Sequence, residues 1–329
     1  MKTFVTGGSG FVGRYLIAAL REAGHEVRAL ARSPSSMDTV RAAGAEPVKG
    51  DLDDGAALRA AMAGCDWVFH SAAHVKNWGT REEYRRANIE GTRNVLEAAR
   101  AAGVKRFIHV GTEAVLVGGG PIVNADESRP RAAKPLGLYP WSKAEAEALV
   151  VAANGGGLET VVVRPRFVWG KGDTTLIPVL THSVKSGAFR WIGGGRYLTS
   201  TTHVRNVCEG LLRAAERGRP GEIYFVTDGA PVEFKAFVTE LLGTQGVSIP
   251  DKAAPRGVVK ALAAFAEALW TVLPLRGEPP VTRQAVALAG EEVTVNDAKA
   301  RRELGYVGKV SREEGLAELR AEASTRVTR

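Results

Sequence analysis

The chain has 329 residues, enough for one large α/β domain and a smaller lobe. Hydrophobic residues make up 45% and charged residues 24%, which excludes a disordered or fibrous chain and fits a globular protein with a sizeable core. The net charge of +8 would suit an anionic ligand, a nucleic acid or an acidic membrane surface, but the lysines and arginines are scattered and no nucleic-acid module is visible, so the charge reads as solvated surface and no nucleic-acid partner is expected.

In chain order, Lys2-Thr3-Phe4-Val5 reads as a strand. A strand at the first residues leaves no room for a signal peptide, and a cytoplasmic location is expected. The stretch Thr6-Gly7-Gly8-Ser9-Gly10-Phe11-Val12-Gly13 follows, then a helical pattern with Val12, Leu16, Ala19, Leu20 and Ala23 on one face. A glycine loop between strand and helix offers bare N–H groups and the positive end of the helix dipole to an anion. The spacing Gly7-x-x-Gly10-x-x-Gly13 departs from the commoner G-x-G-x-x-G, but its setting is the one that dinucleotide binding requires.

After Gly24 stops this helix, residues 25–31 form a second strand, and Val48 lies in a short third one ending at Gly50-Asp51. A helix at 56–62, a strand at 67–70, a long helix at 81–102 closed by Gly103 and a strand at 106–110 come next. A glycine-rich loop, a helix at 139–153 and a strand at 160–164 complete the first half, and residues 222–227 read as one more strand of the same sheet. Strands separated by helices predict a doubly wound parallel sheet with ligands at the carboxyl ends of its strands. Cys65 and Cys208 lie far apart without metal-type spacing, so both read as buried packing, and no metal is expected.

The end of the second strand bears on the choice of nicotinamide cofactor. It reads Ala31-Arg32-Ser33, with no acid to repel a 2′-phosphate and a guanidinium able to pair with one. NADP(H) is therefore preferred, with NAD(H) as the alternative. Asp51 suits the adenine amino group or, equally, the cap of the next helix. Tyr139 and Lys143 in Tyr139-Pro140-Trp141-Ser142-Lys143 lie one helical turn apart. A nearby ammonium favours a phenolate, which lets such a pair move a proton near neutral pH.

With these come His70-Ser71-Ala72-Ala73, Asn88-Ile89-Glu90-Gly91-Thr92 and Arg164-Pro165-Arg166-Phe167-Val168-Trp169-Gly170. Together they resemble the extended short-chain dehydrogenases/reductases over nearly the whole chain. Later segments, Thr202-His203-Val204-Arg205-Asn206-Val207, Gly277-Glu278-Pro279-Pro280-Val281-Thr282-Arg283 and Ala300-Arg301-Arg302-Glu303-Leu304-Gly305-Tyr306, are similar to the 3β-hydroxysteroid dehydrogenase-like branch. Within it they resemble bacterial 2-alkyl-3-oxoalkanoate reductases.

The resemblance implies a Rossmann domain at 1–170, to which 201–228 return, and a smaller, mainly helical substrate lobe over most of 171–329. It implies cofactor contacts from Gly7, Gly10, Phe11, Val12, Gly13, Arg32, Asp51, Leu52, Ala72, Ala73, Pro165 and Val168. Thr112 would hydrogen-bond the substrate oxygen, Tyr139 would exchange the proton, and Lys143 would bind the nicotinamide ribose and tune Tyr139. A homodimer through the helices at 81–102 and 139–153 is a further implication. Two departures stand out: Thr112 replaces the family's usual serine, and Leu116-Val117 replaces tyrosine-glycine, so the loop through Gly118-Gly119-Gly120, expected beside the substrate, is shaped differently. Ala114 stands where sugar-nucleotide dehydratases carry a second acid, which argues against dehydration.

Residues 256–275 repeat Val258, Leu262, Phe265, Leu269 and Val272 at helical spacing, with Arg256, Lys260 and Glu267 on another face. The charges and Pro274 argue against a membrane span. A helix closing an apolar substrate pocket is preferred over core packing or a peripheral membrane helix. The expectation is an NADP(H)-dependent oxidoreductase acting between a ketone and a secondary alcohol on a hydrophobic substrate, of the 3-hydroxysteroid or 2-alkyl-3-oxo acid type. An NAD-dependent nucleotide-sugar epimerase and a non-catalytic cofactor-binding sensor are the alternatives.

Overall fold

The strands are short and mostly apolar, as strands covered on both faces must be. They are Lys2–Thr6 (β1), Glu26–Ala31 (β2), Glu46–Lys49 (β3), Trp67–His70 (β4), Arg106–Val110 (β5), Glu159–Pro165 (β6) and Ile223–Val226 (β7). In the computed structural model, which describes residues 1–273, 275 and 277–327, they form one sheet in the order β7-β6-β5-β4-β1-β2-β3. Every pairing is parallel. The direction of winding reverses between β1 and β4, which opens a crevice beyond their carboxyl ends.

Helices cover both faces. Phe11–Glu22, Pro34–Ala42, Val204–Arg217 and Ala298–Leu304 bury Leu16, Ile17, Val40, Leu211 and Leu304 on one side. Gly55–Met62, Gly91–Ala101 and Leu138–Ala152 bury Leu58, Val95, Leu96 and Val150 on the other. A third core, built on Trp169, Trp191, Phe234, Phe237 and Leu241, fills the lobe beyond β6. A four-stranded sheet of Val232–Glu233, Leu198–Thr199, Val293–Val295 and Ile122–Ala125 bridges this lobe to the loop after β5. Cys65 and Cys208 are both buried, as packing residues.

Several expectations are corrected. The first helix turns Gly13, Leu16, Ile17 and Leu20 inward, while Ala23 is exposed. The helix Pro34–Ala42 was not anticipated: its sequence is polar, but Ser33 and Ser36 form a capping box and Pro34 opens it. Asp54, not Asp51, caps Gly55–Met62, accepting from Ala57 N at 2.9 Å. The long helix at 81–102 is interrupted: Arg81–Tyr84 and Gly91–Ala101 are joined by a π-helical turn, Arg85–Glu90. Leu116 and Val117 are buried in a core with Ala144 and Phe225, so this departure serves packing.

The helix Arg256–Val272 overturns the core-packing reading of its stripe. Val258, Leu262, Phe265 and Val272 point outward, and Ala263 and Ala266 are the residues buried. Pro274 and Arg276 lie outside the described residues.

Candidate active site

The crevice beyond β1 and β4 is where the glycine loop sits. Gly7 takes φ +72°, and a Cβ there would come within 2.6 Å of Ala72 N; one on Gly13 would stand 2.1 Å from Gly7 O. The loop and the first turn of Phe11–Glu22 are thus pressed together in a way that excludes side chains. Gly10 caps the helix with no side chain, which leaves the first-turn N–H groups facing the crevice. Such a cradle has room and donors for a pyrophosphate, and the residues present fit a dinucleotide. Phe11 is buried and Val12 half-buried at its rim. Ala72 and Ala73 follow β4, and Ala72 N donates to Thr6 Oγ1 at 3.3 Å.

Arg32 and Asp51 end β2 and β3 side by side, Nη1 to Oδ2 at 3.6 Å, with Arg32 well exposed. Asp51 Oδ1 accepts from Leu52 N at 2.7 Å. Arg32 directly precedes Ser33 and the N-terminus of Pro34–Ala42, so a guanidinium and a helix N-terminus adjoin each other here. At the other end of the crevice, Pro165 closes β6. Phe167 takes φ +46° and turns the chain, and Val168 pairs with Thr202.

Thr112 and Tyr139 come together, with the Thr112 hydroxyl near enough to the phenol to favour its ionised form slightly. Thr112 Oγ1 also donates to Glu113 Oε2 at 2.9 Å and accepts from Ala114 N at 3.2 Å. Burial first, and then the charge of Glu113, pushes the Tyr139 hydroxyl far above its ordinary value, so it is a protonated phenol. Lys143 behaves differently from expectation. Its ammonium is buried and donates to Val110 O at 2.8 Å and to His109 Nε2 at 3.2 Å, beneath Tyr139 on the β5 side. Burial brings its pKa down to about 8, opposed by Glu147. The pair shares a helix face, but burial and Glu113, not Lys143, set the protonation of Tyr139 in this structure.

Sequence reasoning missed the buried polar frame under these residues. His109 accepts a hydrogen bond from Lys143 at Nε2, so its own proton sits on Nδ1, which is buried without a partner among the described residues. His70 is also neutral, its pKa brought to about 3 by burial and then by Lys143. Because Thr92 donates to Asn88 O at 2.6 Å, it must accept from His70 Nε2–H, leaving Nδ1 to accept from Thr6 at 2.7 Å. Asn88 sits in the π-helical turn, a common device at working sites. It accepts from His74 N and donates to His74 O and Ser142 Oγ, latching the loop after β4 to the Tyr139 helix.

Two buried ion pairs complete the frame: Arg164 grips Glu147 through 2.7 and 2.6 Å bonds, and Arg166 Nη1 lies 3.0 Å from Glu113 Oε1. The signal available was two arginines around Pro165 at the end of an apolar strand, since buried charges require partners. Beside the start of the Tyr139 helix a cavity of about 1120 Å³ opens. Trp78, Tyr84, Trp141 and Trp270 give it an aromatic wall with Leu138 beside them, and Ala264, Ala268 and Thr271 bring helix Arg256–Val272 to its edge. That helix therefore does border a cavity, as preferred, but chiefly through residues off its apolar stripe, of which Val272 reaches the lining.

Comparison with known proteins adds to this geometry. The family model described as "3-beta hydroxysteroid dehydrogenase/isomerase family" matches residues 4–255. The chain is 52% identical over 320 residues to a 4-hydroxy-2-methyl-3-oxo-4-farnesyl-3,4-dihydroquinoline-1-oxide ketoreductase of Stigmatella aurantiaca, covering 97% of this chain and 96% of the relative. It is 37% identical to a 2-alkyl-3-oxoalkanoate reductase of Stenotrophomonas maltophilia, covering 98% and 100%. Among solved structures, the dTDP-glucose 4,6-dehydratase DesIV of Streptomyces venezuelae, with NAD bound, shares the fold at TM-score 0.76 and 24% identity, covering 100% of this chain and 98% of that one.

Proposed function

The chain belongs to the 3-beta hydroxysteroid dehydrogenase/isomerase family and is an NAD(P)-dependent oxidoreductase acting on CH–OH groups; within that class we propose that it uses NADP(H) to interconvert a ketone and a secondary alcohol on a hydrophobic substrate. The observation that carries this reading is the closeness of Thr112 to the buried Tyr139, set beyond the sheet edge with Lys143 one turn on.

When bound, the nicotinamide supplies or accepts the hydride. The chain's own residues do the rest. A carbonyl oxygen placed at Thr112 and Tyr139 accepts hydrogen bonds from both once Thr112 turns its hydroxyl away from Glu113 Oε2, and Tyr139 delivers its proton to that oxygen in reduction or takes it back in oxidation. Two fixed donors in a water-poor site stabilise the developing alkoxide. The protonated state of Tyr139 is the one that reduction requires. Lys143 holds the nicotinamide ribose, Pro165 and Val168 line the nicotinamide pocket, and Ala72 and Ala73 border it. Gly7, Gly10, Phe11, Val12 and Gly13 hold the pyrophosphate, and Asp51 and Leu52 the adenine. Arg32, released from Asp51 and backed by the next helix N-terminus, pairs with the 2′-phosphate.

The relative from Stigmatella aurantiaca is named for a farnesylated bicyclic ketone. The volume and three indoles of the cavity support a ketone of comparable bulk here, of fused-ring or long-chain type, the 3-hydroxysteroid and 2-alkyl-3-oxo acid classes included. Residues 1–170 with 201–228 serve as the cofactor domain and most of 171–329 as the substrate lobe. Helices Gly91–Ala101 and Leu138–Ala152, side by side on one sheet face, supply the surface for a homodimer. The cytoplasm is the compartment we assign.

The test is NADPH and NADH oxidation measured across 3-ketosteroids, 2-alkyl-3-oxo acids, prenylated bicyclic ketones and simple ketones. NADPH-linked reduction of a bulky ketone is expected, with Tyr139→Phe abolishing turnover while retaining cofactor binding. Unchanged turnover in Tyr139→Phe overturns the proton role, and a strong NADH preference overturns the role of Arg32.

A further inference from the structure

Helix Arg256–Val272 is mounted inside out for a helix on a water-facing surface, where charges face outward and the apolar stripe inward. Its charges point into the protein. Lys260 pairs with Glu291 at 2.7 Å, Glu267 with Arg283 at 2.5 Å, and the Arg256 guanidinium lies 5.8 Å from the centre of the Tyr197 ring. Its apolar stripe points out: Val258 is 53%, Leu262 56%, Phe265 68% and Val272 79% exposed, with Leu273 exposed just beyond.

The surroundings of the stripe indicate what covers it. At its N-terminal end Ala253–Ala254 pairs with Trp191–Ile192, which gathers Lys252, Arg190 and Arg196 as exposed cations. The exposed acid in this group, Asp251, is neutralised by Lys235 at 2.6 Å. At the other end, Val272 belongs both to the stripe and to the lining of the cavity beside the Tyr139 helix. No helix among the described residues is long and apolar enough to cross a membrane. A helix with one apolar face and a cationic margin suits the interface of a bilayer, its apolar side chains among the acyl chains and its cations at the headgroups.

We propose that this face docks on an anionic lipid bilayer, and that the cavity takes its ketone from that bilayer past Val272. The second half of this statement rests on the hydrophobic-ketone reading above; the docking itself does not. A second copy of the chain fits less well. The four side chains expose roughly 400 Å² of apolar surface, about half of what each partner of a stable pair buries. A two-fold axis parallel to the helix would also set the cationic ends of the two copies against each other.

Co-sedimentation with phosphatidylcholine vesicles, with and without phosphatidylglycerol, tests the proposal, comparing the wild type with the double variant Leu262→Glu/Phe265→Glu. Both positions are exposed and away from the catalytic residues, so this variant keeps its fold and its NADPH-linked reduction of a small water-soluble ketone. The wild type is expected to bind the anionic vesicles and to be released by salt. The double variant is expected to bind on the order of 10-fold less or weaker still, and to lose reduction of a vesicle-dissolved ketone in proportion. Wild-type protein remaining in the supernatant with phosphatidylglycerol vesicles overturns the docking. A wild-type dimer that the double variant converts to monomer, by light scattering, overturns it in favour of a second copy. Vesicle binding without reduction of any ketone leaves the docking standing and sinks the ketone reading alone.

Discussion

Lys143 Nζ donates to His109 Nε2 at 3.2 Å, a contact between a buried ammonium and a buried neutral imidazole. Burial depresses both groups, and the Lys143 charge further discourages protonation of His109. The imidazole is therefore a fixed acceptor for the lysine. If the ammonium holds the cofactor ribose, kcat/KM for NADPH falls as pH rises past about 8, where Lys143 gives up its proton. Removing the acceptor makes the ammonium harder to keep, so His109→Leu moves this alkaline limb to lower pH, by roughly one unit for a lost hydrogen bond to a charged group. A pH–rate profile of the two proteins decides it, and coincident limbs would remove His109 from the account.

Glu113 and Arg166 form a buried pair, and Arg166 Nη2 also donates to Leu288 O at 2.7 Å. Glu113→Gln leaves a guanidinium uncompensated in the interior, at a cost of roughly 3–5 kcal/mol. The urea midpoint should drop accordingly, and the double variant Glu113→Gln/Arg166→Met should recover much of the loss. A single variant as stable as the wild type would show that the pair contributes little.

Arg32 is exposed and held loosely by Asp51. Arg32→Glu places an acid where a 2′-phosphate would lie, so KM for NADPH should rise about 10- to 100-fold, the scale of a charge-assisted contact. KM for NADH should change far less. Equal effects on both cofactors would mean that Arg32 does not read the phosphate.

Gly13 and Gly55 provide a matched pair of substitutions. A Cβ on Gly13 would lie 2.1 Å from Gly7 O, whereas one on Gly55 meets nothing within 4 Å. Gly13→Ala should lower stability by about 1–3 kcal/mol and abolish NADPH binding, measured by fluorescence titration. Gly55→Ala should be neutral or slightly stabilising. Normal cofactor binding by Gly13→Ala would move the pyrophosphate elsewhere.

Much of this fold is legible in the sequence because parallel strands are apolar runs and glycine loops have few other uses between a strand and a helix. Val161, Val162 and Val163 announce β6, and Gly7 and Gly13 announce the cradle. Helix Pro34–Ala42 was harder to read, because it buries only Val40 deeply and leans on its cap. The stripe of Arg256–Val272 is legible as a stripe, but its outward direction is not, since periodicity says which residues share a face and nothing about where it points. The partners of Lys143 and Glu113 come from in and just beyond other strands: His109 in β5 is 34 residues away and Arg166, past the end of β6, is 53. Such pairs follow from register, which one strand's sequence does not contain.

The π-helical turn Arg85–Glu90 has a consequence for how this site can change. It holds one residue more than an α-helical path would need, and each residue rotates a helix by about 100°. Losing that residue would straighten the backbone and swing Tyr84 and Glu83 off the cavity wall, while Gly91–Ala101 kept its packing against the sheet. The shape of the cavity can therefore be altered by the gain or loss of a single codon, with no side chain exchanged for another.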